Sequence, residues 1–262
     1  MQAATALLVS LACAAAGAAR AQPAGGATTA SGFTRAQSTP LPAPLRFRVA
    51  AWPDGVIDGA TLSATLVPLI WSNSFPHATC APCDASRLWA MDRGTVGPVR
   101  AAANTFSSLT LGAEAAMGVV FLGSSRRGED GAAFWEDAAV ITQAVSVTAA
   151  ATMALKVLFH RPRPLMYLPG PPGAFTADDG RGFPSSHTSL AFAAAAAYAS
   201  ILNRRGIAGS HKLEIGALFA SAVATGVLRV VAREHFPTDV VAGAALGFAI
   251  GWTIPALHST QP

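Results

Sequence analysis

Beyond residue 100 the apolar residues fall in blocks of membrane-crossing length. Residues 103–123, 138–159, 187–203, 213–232 and 238–257 each approach the about 20 residues that a helix needs to cross a hydrocarbon core. Strand-like alternation is scarce within them, and no hairpin turn signal separates two alternating runs. A sixth stretch, 56–71 (VIDGATLSATLVPLIW), is shorter and carries Asp58; it reads as a helix packed at the surface or the interface. The pattern predicts an all-α, multi-span transmembrane bundle of five to six helices. Alanine carries many of these blocks and is a weaker hydrophobe than leucine, so a soluble alanine-rich bundle is the competing reading.

Composition favours the membrane. The 262 residues are 52% hydrophobic and 12% charged, and the mean hydropathy is +0.40, whereas an ordinary soluble domain is about 25% charged. The formal net charge of +4 comes with no basic run of the kind that nucleic acid would need, so no nucleic-acid partner is expected. Charge also orients the bundle. The short loops SSRRGEDG, with Arg126 and Arg127, and NRRGIAGSHK, with Arg204 and Arg205, are basic and are expected in the cytoplasm. Residues 160–186 and 233–237 then face outward.

The N-terminal part reads differently. Residues 5–18 form an apolar core followed by AARAQ, which predicts a signal peptide over 1–21 with cleavage before Gln22. Residues 22–50 are rich in Ala, Gly, Pro, Ser and Thr and read as a flexible linker. Residues 51–100 read as an external segment with a peripheral helix and the pair Cys80 and Cys83. One CxxC cannot complete a four-ligand zinc site, and in an oxidising compartment a local disulfide is expected. Residues 101–258 form the helical-bundle domain.

Three polar clusters lie at the ends of these blocks: Lys156 and Arg163 in KVLFHRPRP, Ser185, Ser186 and His187 in GFPSSHTS, and Arg229, His235 and Asp239 in RVVAREHFPTD. Because successive spans alternate in direction, all three clusters converge on the outer face. Lys156, Arg163 and Arg229 are three cations with few anions nearby, and cations in an apolar bundle are costly unless something negative joins them. A phosphate suits them: arginine offers a planar fork, lysine a point charge, and Ser185, as an N-cap, brings a hydroxyl to the mouth of a helix whose dipole favours an anion. His235 and Asp239 are four apart, a spacing that brings the carboxylate to one ring nitrogen and leaves the other free to attack phosphorus. His187, on another helix, is placed to protonate the leaving oxygen. The cations take the place of a metal, so neither metal nor other cofactor is required.

These motifs and their order resemble the type 2 phosphatidic acid phosphatase and vanadium haloperoxidase superfamily. Lys156, Arg163 and Pro164 match its first motif; Pro184, Ser185 and His187 its second, with Ser186 in place of glycine; Arg229, His235 and Asp239 its third, with Leu228 in place of serine. The likeness covers about residues 100–258. It implies a bacterial inner-membrane enzyme whose site faces the periplasm, with His235 as phosphate-accepting nucleophile, Asp239 as its partner, His187 as general acid, and Lys156, Arg163, Ser185, Ser186 and Arg229 around the phosphate. The implied substrate is a lipid phosphate monoester or diphosphate, of the phosphatidic acid or undecaprenyl diphosphate type, and membrane lipids are its surroundings. A secreted soluble acid phosphatase, a haloperoxidase and a non-catalytic phospholipid-binding protein are the alternatives. His160, Arg161, Arg181 and Arg233 receive no role from the sequence.

Overall fold

The computed structural model describes residues 45–126, 131–170 and 175–260. The expected signal peptide, the linker as far as residue 44, and Arg127 lie outside them. Of the two compact units into which the chain divides, Met1–Leu45 and Arg46–Pro262, the second holds every element below. The α-helices are α1 (Ala51–Ile70), the single turn α2 (Ala90–Arg93), α3 (Ala101–Ser125), α4 (Gly131–Phe159), α5 (Ser186–Arg204), α6 (Lys212–Val231) and α7 (Pro237–His258). Among the described residues the only β-type pairing is an isolated bridge between Phe47 and Ser259. The fold is therefore the all-α bundle that the apolar blocks predict, with every block in a helix.

Among the described residues, four stretches are long and apolar enough to cross a membrane: Ala101–Ser125, Gly131–Tyr167, Ala208–Val231 and Pro237–His258. The block at 187–203 is expected to be a fifth, but α5 is not among them: polar His187, Thr188, Ser189 and Asn203 interrupt its alanine run. The physical reason lies in its position. Helix α5 packs against α3, α4, α6 and α7, and Ala191, Ala193, Ala195, Ala196 and Ala197 are fully buried. A helix enclosed by other helices needs small side chains for close approach rather than large ones for lipid.

Helix α5 packs most extensively along α7, and the two run parallel. Gly243, Gly247 and Gly251 form the contact stripe of α7. A Cβ at Gly247 would lie 2.0 Å from the Ser189 carbonyl oxygen, so only glycine permits this approach. The start of α7 is set by Pro237 in its first turn and by Asp239, whose carboxylate accepts a hydrogen bond from the Phe236 N–H at 2.9 Å. The end of α5 is set by Gly206, whose φ of +71° suits the left-handed residue after a helix.

Helix α1 lies along α4 in the same direction. The Ser146 hydroxyl donates to Asp58 at 2.8 Å and the Gln143 amide to Asp54 at 3.4 Å. Its other side exposes Trp52, Val56 and Ile57. It thus runs lengthwise on the bundle, with its two acids turned inward. At the end where α1 starts, Arg48 N–H donates to the His258 carbonyl at 2.8 Å beside the Phe47–Ser259 bridge. The same end holds Asp137 of α4, bridged by Arg126 at 2.6 Å and by Arg205 at 2.5 Å. Arg126 and Arg205 therefore share one end of the bundle.

Candidate active site

At the opposite end, the helix mouths of α3, α4, α5, α6 and α7 bring the three polar clusters together. Lys156, in the last turn of α4, is buried and donates to the Arg181 carbonyl at 2.6 Å. Arg229, in the last turn of α6, is buried; its Nη1 donates to Asn104 Oδ1 at 2.5 Å and to Ser107 Oγ at 3.3 Å. Ser185 is the residue before α5, and its N–H donates to the Asp239 carbonyl at 3.0 Å, which ties the mouths of α5 and α7. Its hydroxyl does not cap the helix as expected: it accepts from Thr188 Oγ1 at 3.0 Å. The hydroxyl proton of Ser185 is thereby left for an acceptor outside the helix. Ser186 and His187 open α5, and His187 Nε2 stands 3.4 Å from the exposed Ser108 hydroxyl of α3.

The expectation of few anions near the cations is corrected by the structure. Arg163 gives Nη1 to Glu234 at 2.5 Å and Nη2 to Asp178 at 2.6 Å. Glu234 also lies 3.3 Å from Arg229 Nη2 and accepts from the Asn104 amide at 2.9 Å. Buried arginines need charge partners before any substrate arrives, and these two carboxylates supply them. Asp178 stays anionic: burial would raise its carboxyl, but Arg163 and then Lys156 hold it below the ordinary carboxylate range.

His235 is 1% exposed and Asp239 fully buried. The Nδ1 atom of His235 lies 3.7 Å from Asp239 Oδ2, beyond hydrogen-bond length, and has no other partner. The pairing read from the four-residue spacing is present as proximity, with the bond itself not closed. Asp239 is occupied elsewhere: Oδ2 takes the Phe236 N–H, and Oδ1 takes Arg161 Nη1 at 2.5 Å. Burial first, then the charges of Arg229, Lys156 and Arg163, hold His235 well below the ordinary histidine value. An imidazole so placed is neutral and keeps a lone pair for attack.

That electrostatic setting gives a direct expectation. In ¹⁵N-histidine spectra of the purified protein, one ring, absent from His235→Ala, should titrate well below the ordinary midpoint near 6.5. A midpoint at the ordinary value for that ring would contradict the buried, cation-flanked setting.

Sequence reasoning left Arg161 and Arg181 without roles and passed over Asp92, Asn104, Asp178 and Glu234. Arg181 is buried, with its side chain on the Ala177 and Ser72 carbonyls. His160 and Arg233 lie in loops with φ of 31° and 59°. Arg161 is anchored beside Asp239, two residues before Arg163, and that proximity in sequence to a matched position was the available signal. The others come from elements whose approach is decided by packing.

Among the described residues there is no group of three or more His, Cys, Asp or Glu placed to hold a metal ion. The donors at the helix mouths, ammonium, guanidinium and hydroxyl, suit an oxyanion. No curated protein matches the chain. Among solved structures, the transmembrane PAP2-type phosphatidylglycerolphosphate phosphatase from Bacillus subtilis aligns with 79% of this chain and 96% of its own, at 17% identity and a TM-score of 0.46. Residues 138–262, which hold Lys156, Arg163, Ser185, His187, Arg229, His235 and Asp239, match the family model of the PAP2 superfamily.

Proposed function

We propose that the protein is a membrane phosphatase that hydrolyses a lipid phosphate monoester or diphosphate through a phosphohistidine on His235, without a metal. The observation that carries this reading is the meeting, at one end of the bundle, of Lys156, Arg163 and Arg229 with the His235–Asp239 pair and with His187 on a separate helix. The Nε2 lone pair of His235 attacks phosphorus, and the bond from phosphorus to the leaving oxygen breaks. His187, in its protonated form, gives its proton to that oxygen. Asp239 balances the charge that grows on the His235 ring. Water then attacks the phosphohistidine, His187 takes the water proton, and Nε2 leaves with its lone pair restored as inorganic phosphate departs. The cations stabilise the charge on the non-bridging oxygens in both steps.

Lipid is supported by what surrounds His187. Ser108 beside it is exposed on the flank of α3, between exposed Phe106 and Leu109. A leaving group with an apolar tail can lie on that flank while its phosphate stays in the polar mouth. The bundle also exposes Val119, Val120, Val223, Val227 and Val241 on helices of crossing length, surfaces that suit hydrocarbon and not water.

The test is phosphate release from a panel of lipid phosphates in detergent micelles. Activity should persist in EDTA, because cations of the chain do the work of a metal. Activity that disappears with chelator and returns with Mg²⁺ would overturn the metal-free mechanism.

A further inference from the structure

We propose that Asp92 is a positioning residue for this reaction, acting through Arg161 on Asp239. The proposal rests on the phosphatase reading above. Asp92 belongs to α2, in the connection between α1 and α3, outside the segment that matches the family. It is fully buried, and both of its oxygens are used. Oδ2 accepts from Arg161 Nη2 at 2.8 Å and from Thr238 Oγ1 at 2.8 Å; Oδ1 accepts from the Thr238 N–H at 3.2 Å. Arg161 turns its other nitrogen, Nη1, to Asp239 Oδ1 at 2.5 Å and to Thr238 Oγ1 at 2.6 Å, while its guanidinium stacks 4.7 Å over the Phe236 ring. One arginine fork is thus shared by two buried carboxylates, one of which lies against the nucleophile.

The sharing has a chemical consequence. As His235 attacks, its ring becomes cationic, and Asp239 stabilises it only to the extent that its charge is not already spent. An arginine facing Asp239 alone would draw that charge to itself. Asp92 balances the guanidinium, so Asp239 keeps charge to offer on Oδ2, the oxygen nearest His235. The geometry also fixes direction: with Thr238 and Arg161 both tied to Asp92, the first turn of α7 cannot rotate Asp239 away from the ring.

Asp92 is not the sole tie of its segment. Arg100 N–H donates to the Ala232 carbonyl at 3.0 Å, Cys83 N–H to the Met166 carbonyl at 2.9 Å, Ala78 N–H to the Gly180 carbonyl at 3.1 Å, and Cys80 and Cys83 form a disulfide. Removing the Asp92 charge therefore leaves the connection docked. The Asp92 and Arg161 side chains bond to Thr238, Asp239 and each other and not to Lys156, Arg163 or Arg229, so the phosphate cradle and the Asp92 device are separable by kinetics.

The experiment compares Asp92→Asn, which keeps shape and loses charge, with the wild type on the best lipid phosphate found. The expected result is a kcat lower by about tenfold or more, with KM and the inhibition constant of orthovanadate little changed. Slower formation of the phosphoenzyme should accompany it. Arg161→Lys, which keeps charge and loses the fork, should show the same split and stands in should Asp92→Asn fail to fold. An unchanged kcat per folded molecule in both variants, or a rise in KM that accounts for the whole loss, would overturn the proposal. A wild type that turns over no phosphate ester would instead overturn the phosphatase reading itself.

Discussion

His235→Ala should abolish both turnover and phosphoenzyme for every substrate, whereas the loss in His187→Ala should depend on the leaving group. The two histidines differ in what surrounds them. His235 is buried, held neutral among cations, and has Asp239 on its Nδ1 side, so the proposed mechanism uses Nε2 for attack. As the proposed phosphoryl acceptor, it should cost at least about 10⁴-fold on removal, the scale seen when a covalent nucleophile is lost. His187 reaches the exposed Ser108 flank of the site, where a leaving group has room. General acid catalysis supplies about 10²–10⁴-fold when the leaving group is an alkoxide. An aryl phosphate, whose phenolate needs little proton, should lose much less. The measurement is kcat/KM on both substrate types, with acid-labile phosphoenzyme trapped in parallel. Equal losses on the two substrates in His187→Ala, with phosphoenzyme still formed by His235→Ala, would reverse the assignment.

Gly247→Ala should damage the protein more than its single added methyl suggests, and Gly247→Leu should prevent folding. The new Cβ would lie 2.0 Å from the Ser189 carbonyl oxygen, 2.9 Å from the Ser189 carbonyl carbon and 3.0 Å from the Ala193 nitrogen. All three are backbone atoms of α5, which cannot turn aside as a side chain could. The helices must separate, and overpacking of a close contact costs about 1–3 kcal/mol even where side chains can adjust. Separation also pulls at the site, because the Ser185 N–H bond to the Asp239 carbonyl crosses the same seam. Gly247→Ala should therefore lower thermal stability in detergent and lower kcat of what remains folded. Gly112→Ala, on α3 with nothing within 4 Å of its Cβ, is the control and should be neutral or slightly stabilising. Equal stability of the two variants would show that the α5–α7 approach is looser than described.

The apolar blocks placed α3, α4, α5, α6 and α7 because lipid-facing and core-facing helices both need long uncharged stretches. What they could not show was which helix faces lipid. Alanine in α5 reads as weak hydrophobicity, yet it marks the helix enclosed by the others. The stripe Gly243, Gly247 and Gly251 was a signal in the sequence, a small-residue repeat with one residue per turn, and it identifies the partner of α5. At the site, the matched positions come together, since their spacing is local to each helix end. Glu234 adjoins a matched histidine, but its reach to Arg163 and Arg229 depends on how the loop after α6 folds back. Asp178 lies 15 positions from Arg163, and no local pattern links Asp92 to Arg161, 69 positions away. Segments thus revealed which cations are present, and only tertiary packing revealed what balances them.

The clasp between Phe47 and Ser259 has a consequence for handling the protein. Arg48 bonds to His258 and Thr260 bonds back to Arg46, so the chain enters and leaves the bundle at a single end, the one away from His235. A fluorescent or affinity partner attached downstream of Thr260 would be carried on the side remote from the helix mouths and would leave them unobstructed. A short linker from Thr260 to Arg46 would close the chain into a ring. That ring could be reopened at Gly206, on the same remote side, without cutting any segment between Lys156 and His187 or between Arg229 and Asp239.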